Sequence, residues 1–483
     1  MKLEIRKDEI VSVLRQFNPW WSNEPINDLP DWHRPAFRDI RDWVKTPDTG
    51  RSLVLTGPRQ VGKTTLFRQA IRDIIRTGVP AENILYATFD HPLLKLIGQE
   101  KVLQIWREFI PPKKQNGVVV EYLFLDEFQF MDDWAVWLKH QSDFQKNRRI
   151  AVTGSAVSLL EQGTESGVGR WMTIRLPTLS FYEYLLIRNE NPFDEIPERS
   201  TLTMFQRLSE RDRYDWSDRA RTLTPYFHQY LIRGGFPECA MIDNIPRLQR
   251  LLREDIIDKI LKRDMTALFG VRHVLQLERL FLYLCLHDGS IVDFQAICQS
   301  LGVQRPTVEK YMRFFEATHL LTQLRPFGYG KEVLRGRTKY YLADPSIATA
   351  MFLRGMQPLE DATLLGHIVE STVFKHLAIE TLYSQRLNFS FWKGVKDREV
   401  DIIAEFGTRL IPFEVKYRSK QHTGSKDLRG LTEFCKERQP KLAYVFTQDS
   451  EDIDSFAIDN STIIKIPTPL ACYLLGRFEH GFT

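Results

Sequence analysis

The feature that most constrains this chain is Gly57-Pro58-Arg59-Gln60-Val61-Gly62-Lys63-Thr64, a complete G-x-x-x-x-G-K-[ST] run. It lies between an apolar strand, Leu53-Val54-Leu55, and a helix opening at Thr65-Leu66-Phe67. A loop of this kind turns successive backbone N–H groups onto phosphate oxygens, and the helix behind it aims its positive end at the same anion. Lys63 is expected at the β- and γ-phosphates, with the Thr64 hydroxyl on Mg²⁺ and Thr65 completing the loop. Such a loop needs a parallel sheet to carry it. Short apolar runs at Val54-Leu55, Ile84-Leu85-Tyr86, Tyr122–Leu125 and Ile150–Val152 alternate with helical patterns, which predicts an α/β core with helices on both faces.

The run Tyr122–Leu125 ends in Asp126-Glu127, at a plausible one-domain distance from the loop. Asp126 is expected to hold Mg²⁺ through water and Glu127 to polarise the attacking water. The next strand ends in Thr153-Gly154-Ser155. Thr153 or Ser155 there either senses the γ-phosphate between the two motifs or belongs to an ordinary strand-end turn. Arg170, in a Gly-rich loop, either reaches a neighbouring subunit's phosphate or pairs with a local carboxylate.

Residues 276–325 have a helix-turn-helix layout. Leu277–Leu284 and Asp293–Leu301 are the first two helices, Gly302 supplies the turn, and Pro306 opens the third helix, where a missing N–H is harmless. Val308, Tyr311, Met312 and Phe315 form its packing face, leaving Gln304, Arg305, Lys310 and Arg313 outside. Residues 325–339 follow as a basic wing, with Lys331, Arg335, Arg337 and Lys339 suited to phosphate contacts. A winged helix joined to a P-loop domain serves equally as a lid or a protein contact.

Near residue 407 two alternating segments flank Gly407-Thr408, a two-residue turn with glycine at its first position. Paired residue numbers then sum to 815. That sets Asp401 opposite Glu414 and Glu399 opposite Lys416, with Val400, Ile402, Ala404 and Phe406 on the other, core face. Two opposed carboxylates and a lysine suit metal-dependent phosphodiester cleavage: Asp401 and Glu414 hold Mg²⁺, Lys416 orients water or stabilises the phosphate, and Glu370 completes the site. An exposed hairpin face with cross-strand ion pairs accounts for the same pattern.

Composition bounds the rest. The 66 Lys+Arg against 62 Asp+Glu leave a net charge of +4, so any nucleic-acid surface must be local. The 43% hydrophobic and 27% charged residues exclude a disordered chain or a collagen-like fibre. Five scattered cysteines without a C-x-x-C pair argue against a disulfide framework or zinc ribbon and for a reducing cytoplasm. No signal-peptide pattern and no 18-residue apolar run is visible. Adjacent Trp20 and Trp21 read more readily as packing than as a recognition surface.

Taken together, Asn18-Pro19-Trp20-Trp21, Thr56–Thr65, Leu125-Asp126-Glu127, Thr153-Gly154-Ser155, Gly169-Arg170, Leu179-Ser180-Phe181 and Gly234-Gly235-Phe236-Pro237-Glu238 resemble a group of bacterial and archaeal AAA+-type P-loop ATPases. Glu370, Asp401 and Glu414-Val415-Lys416 resemble the PD-(D/E)XK signature of its C-terminal nuclease-like domain. The resemblance implies an AAA+/STAND-like α/β ATPase core over 1–185 and a helical lid over 186–268. A winged helix over 269–345 and a restriction-endonuclease-like domain over 361–483 follow. It implies ATP and Mg²⁺ as cofactors, Gly235 and Pro237 placed against the nucleotide base, Arg170 acting in trans in a homo-oligomer, and DNA as the partner. Its rivals are a nucleotide switch that docks proteins without DNA and an ATP-regulated DNA endonuclease.

Overall fold

The computed structural model describes residues 6–27, 29–45, 50–115, 117–155, 169–193, 201–328, 338–383, 387–395, 398–417 and 428–477. The chain divides into two compact units, Met1–Leu176 with Ala317–His319, and Pro177–Glu316 with Leu320–Thr483. Segments expected as a lid, a winged helix and a nuclease-like domain therefore share the second unit. Among the described residues no helix is long and apolar enough to cross a membrane.

The first unit is built on a five-stranded sheet: β1 (Ser52–Thr56), β2 (Ile84–Thr88), β3 (Glu121–Asp126), β4 (Arg148–Gly154) and β5 (Trp171–Arg175). The order is β2-β3-β4-β1-β5 and every neighbour is parallel. Every residue of β1 is buried, as expected of a strand covered on both faces. The edge strand β2 is closed off by the chain's own N-terminal segment. Asn18 accepts the Tyr86 N–H at 2.7 Å and donates to the Tyr86 carbonyl at 2.8 Å. The indoles of Trp20 and Trp21 both donate to the Ile84 carbonyl, at 3.1 and 3.0 Å. The paired tryptophans thus pack, and cover polar groups that an open edge would expose.

The second unit carries an eight-stranded sheet: β6 (Leu321–Pro326), β7 (Lys339–Leu342), β8 (Leu387–Lys393), β9 (Glu399–Phe406), β10 (Arg409–Lys416), β11 (Leu442–Thr447), β12 (Asp454–Ile458) and β13 (Ser461–Pro467). Its order is β12-β13-β11-β10-β9-β8-β6-β7. Helices Val274–Leu286, Phe294–Leu301 and Arg305–Ala317 precede β6. The Asp293 side chain caps the second of them, accepting from the N–H groups of Gln295 and Ala296, and Gly302 ends it with φ 62°. The wing is not a separate layer. Its strand β6 pairs in parallel with β8 at Arg325–Ser390 and Pro326–Phe391, which extends the C-terminal sheet by two strands.

The β9–β10 hairpin has the register that its turn dictates, from Arg409 opposite Phe406 to Phe413 opposite Ile402. Next to this ladder the Asp401 carboxylate takes the Val415 N–H at 2.8 Å. The helix Ala362–Tyr383 packs on β8 and β10, and the helix Arg429–Arg438 on β9. Both faces are therefore covered, and Ile403, on the face with Asp401, is fully buried.

Candidate functional site

Two groups of side chains have the chemistry of a site, one in each unit. In the first, β1 runs into the glycine-rich loop and the helix Lys63–Arg76 leaves it, with Gly62 at its N-cap at φ 96°. Gly57 has no room for a side chain, since a Cβ there would lie 2.2 Å from the Leu176 carbonyl oxygen. Lys63 is buried and donates to the carbonyls of Gly57 and Pro58 at 2.9 and 2.7 Å, so its ammonium is held inside the curve of the loop. Pro58, Arg59, Gln60 and Val61 make that curve, with Gln60 in the left-handed region at φ 57°. Thr65 lies in the first turn of the helix.

β4 lies between β1 and β3, which brings Thr153 to Asp126. The Thr153 hydroxyl donates to Asp126 Oδ1 and accepts the Glu127 N–H at 3.0 Å. Thr64 Oγ1 and the Tyr86 hydroxyl both donate to Asp126 Oδ2, each at 2.7 Å. Ser155 reaches Gln129 at 3.4 Å, and Gln129 donates to Glu127 Oε2 at 2.5 Å. Glu127 sits in the left-handed region at φ 52°, a conformation that a non-glycine residue holds only when its surroundings impose it. Burial raises its carboxyl above the usual range; Lys63 opposes and Asp126 reinforces that shift. Thr64 and Asp126 set two hard oxygen groups side by side, which fits a Mg²⁺ site, and the loop N–H groups with Lys63 fit a polyphosphate.

Three members of this site were not foreseen. Tyr86 and Gln129 orient the two carboxylates. His319, in the short segment counted with the first unit, lies 2.8 Å from Thr56 Oγ1 at the root of the loop. Burial, with Arg175 and Lys63 adding, holds its imidazole down at about 3 and hence neutral. Tyr86 and Gln129 lie close to motif residues in sequence or on the adjacent strand. His319 carries no such mark. Arg170 pairs with Asp143 at 3.1 Å, the local-carboxylate alternative; the preceding Gly167 and Val168 lie outside the described residues.

In the second unit, Asp401, Glu414, Lys416, Glu370, Glu399 and Lys339 line one cavity of about 620 Å³. Lys416 donates to Glu414 Oε1 at 2.5 Å, whereas Glu414 Oε2 is buried and has no hydrogen-bond partner among the described residues. Burial pushes the Glu414 carboxyl up to about 8, with Asp401 adding to the rise and Lys416 opposing it. Asp401 is likewise raised, by burial and then by Glu370. A buried carboxylate pair with an orphaned oxygen fits a divalent cation, which would supply charge to draw in a phosphate and acidify a water.

Several expectations are corrected here. Lys416 pairs with Glu414, and the hairpin register runs from Arg409 opposite Phe406 to Phe413 opposite Ile402. Glu370 is engaged by the Lys339 ammonium at 3.1 Å and the Tyr341 hydroxyl at 2.8 Å, and among the described residues no group of three Asp, Glu, His or Cys is gathered for one ion. Lys339, expected on the wing surface, is inside: its side chain is 5% exposed and pairs with Glu370 and Glu399. Gln304, Arg305, Lys310 and Arg313 are exposed as expected, while Lys331, Arg335 and Arg337 lie outside the described residues. Gly235 donates its N–H to Asp344 at 2.9 Å and takes the Leu179 N–H at 2.7 Å, and Pro237 starts the short helix after it; neither contact bears on the expected place of these residues against a nucleotide base.

The parallel sheet, the loop on β1 and the Asp126-Glu127 end of β3 give the first unit the architecture of a P-loop nucleotide-binding domain. Residues 49–185 match the family model described as an AAA domain. Residues 224–359 and 365–469 match two models described as domains of unknown function, DUF8612 and DUF4143. The chain is 24% identical over 396 residues to an uncharacterized protein of Haemophilus influenzae, covering 80% of this chain and 88% of that one. It is 22% identical over 417 residues to the uncharacterized protein MJ1544 of Methanocaldococcus jannaschii, covering 84% of each. Among solved structures, the Walker-type ATPase paby2304 of Pyrococcus abyssi is similar at TM-score 0.36 and 13% identity, over 67% of this chain and 99% of that one. AMPPCP-bound DnaA from Aquifex aeolicus is similar at TM-score 0.25 and 14% identity, over 59% and 89%.

Proposed function

We propose that the protein hydrolyses ATP at the P-loop with Mg²⁺ and uses the cycle to act on DNA, the second unit carrying a metal-dependent nuclease-like site. Lys63 and the loop N–H groups hold the phosphates, Thr64 and Asp126 the metal, and Glu127 orients the attacking water. The observation that carries the DNA reading is the composition of the second unit. It has an exposed helix face bearing Arg305, Lys310 and Arg313, and a cavity where Asp401 and Glu414 stand beside Lys416. Cations outside and a carboxylate–lysine pocket inside match the two demands of a phosphodiester, neutralisation and metal-assisted attack. In this reading the protein assembles with copies of itself, and Arg170 leaves Asp143 to reach a neighbour's phosphate.

The test is Mg²⁺- or Mn²⁺-dependent nicking of plasmid and forked DNA, with binding followed in parallel at two salt concentrations. Nicking that disappears in Asp401→Ala and Lys416→Ala supports the site. Nicking unchanged in both variants rules it out, and absence of DNA binding rules out the DNA reading.

A further inference from the structure

Asp126 is held by more than the two nucleotide-binding motifs. Its Oδ1 takes the Thr153 hydroxyl and the Glu127 N–H, the latter at 3.2 Å, and its Oδ2 takes the hydroxyls of Thr64 and Tyr86 at 2.7 Å each. Four donors thus converge on a group with about four lone-pair sites. Three of them come from the helix behind the P-loop, the end of β3 and β4. The fourth comes from β2, where Tyr86 lies opposite Phe124, two residues short of Asp126. That offset is about 6.6 Å along a strand, a span that a phenol can cross. β2 is an edge strand, so the place of Tyr86 depends on what closes that edge. The N-terminal segment grips Tyr86 at its backbone and at its ring. The Asn18 amide bonds both backbone groups of Tyr86, at 2.7 and 2.8 Å, and is itself fixed by a 2.7 Å donation to the Leu14 carbonyl in the helix Lys7–Phe17. The Phe17 ring meets the Tyr86 ring edge-on, with centroids 6.2 Å apart. Residues that cover the sheet edge therefore also hold the side chain that reaches Asp126.

We propose that the N-terminal segment is part of the support of the nucleotide site: Phe17 and Asn18 fix Tyr86, and Tyr86 is a positioning residue that sets the Asp126 carboxylate for Mg²⁺. The inference rests on the reading of the P-loop as an ATP and Mg²⁺ site. A carboxylate that serves a metal, directly or through water, must keep one orientation. Loss of a hydrogen bond that orients such a ligand lowers metal affinity or activity by about 10–100-fold. The phosphate grip is built from other groups, Lys63 and the loop N–H donors, so the two functions can be told apart. A segment that only covered polar groups at the sheet edge would lower stability when altered and leave the metal requirement alone.

The experiment measures nucleotide and metal binding separately in the full chain. A fluorescent ADP reports nucleotide affinity in EDTA. The electron paramagnetic resonance of free Mn²⁺, with protein in excess over ADP, reports metal affinity. Tyr86→Phe removes one oxygen and keeps the ring. It should leave ADP affinity in EDTA within about twofold of wild type and weaken Mn²⁺ binding about tenfold. The Mg²⁺ concentration for half-maximal ATP turnover should rise by the same factor. Asn18→Ala should weaken Mn²⁺ binding several-fold, and Asn18→Ala/Tyr86→Phe no more than Tyr86→Phe alone, because both act through one bond. Should Tyr86→Phe not fold, Phe17→Leu carries the test, with a several-fold loss of Mn²⁺ affinity. A wild type that binds no Mn²⁺ with ADP overturns the metal reading of the P-loop, and this inference with it. A wild type that binds Mn²⁺ while Tyr86→Phe, or in its place Phe17→Leu, binds it equally well overturns the role of Tyr86 alone. An equal loss of ADP affinity in EDTA and of Mn²⁺ affinity also overturns it, in favour of a packing defect. Additive losses in the double variant overturn the action of Asn18 through Tyr86.

Discussion

The Thr64 hydroxyl donates to Asp126 Oδ2 at 2.7 Å, joining the end of the P-loop to the end of β3. Two oxygen groups are thus set side by side by the fold itself, and Glu127 follows in an imposed left-handed turn. Glu127→Gln should retain nucleotide binding and lower ATP turnover by about 10²–10⁴-fold, the usual range for removing a general base. Nucleotide affinity by fluorescence and steady-state turnover separate the two effects; unchanged turnover would remove Glu127 from the mechanism.

Gly57→Ala tests the close approach of the loop to Leu176. An added Cβ would lie 2.2 Å from a backbone oxygen, so the loop must move. The expected cost is about 1–3 kcal/mol, as for other overpacked sites, together with weakened nucleotide binding. Chemical denaturation of the variant measures it, and a variant as stable as wild type would contradict the geometry.

Asn18→Ala tests the closed edge of the first sheet. It leaves the Tyr86 N–H and carbonyl without their side-chain partner on an otherwise buried stretch. A loss of about 1–3 kcal/mol is expected. Faster amide exchange should be localised to β2, and exchange unchanged there would show that the N-terminal segment does not hold the edge.

In the second unit His376 accepts the Phe181 N–H at Nε2, 2.9 Å, while Nδ1 lies 2.7 Å from the Thr372 carbonyl. That arrangement needs the neutral ring. Burial, with Lys375 adding, lowers its value to about 3. The unfolded chain therefore takes up this proton first as pH falls. The stability due to His376 is fully present above about pH 6.5 and is lost progressively down to about 3, by about 2 kcal/mol between pH 6.5 and 5. His376→Gln should reduce that slope in denaturation curves recorded across the range. An unchanged slope would contradict the assignment.

What was legible in the sequence is what short covalent spacing dictates. A strand, a G-x-x-x-x-G-K-T loop and a helix can be joined in few ways, and a two-residue turn sets the 406–409 register. Thr153 lies between the two motifs because β4 occupies that place in the sheet. Lys339 was misplaced for the opposite reason. Basic residues before it suggested a surface wing, but which way β7 faces depends on its sheet joining β8 and on Glu370, and no local pattern records that pairing. The same holds for His319, which meets Thr56 across more than 260 residues. The covered second face of the hairpin depends on helices packed from elsewhere in the unit.

The central claim is that ATP hydrolysis at this P-loop serves an action on DNA. Its most direct test is ATP turnover by wild type and Lys63→Ala, alone and with duplex, forked or single-stranded DNA. The account predicts Mg²⁺-dependent turnover that changes severalfold with at least one DNA form and is absent in Lys63→Ala. Turnover indifferent to every DNA form, with no DNA bound, would contradict it and favour a nucleotide switch that docks proteins.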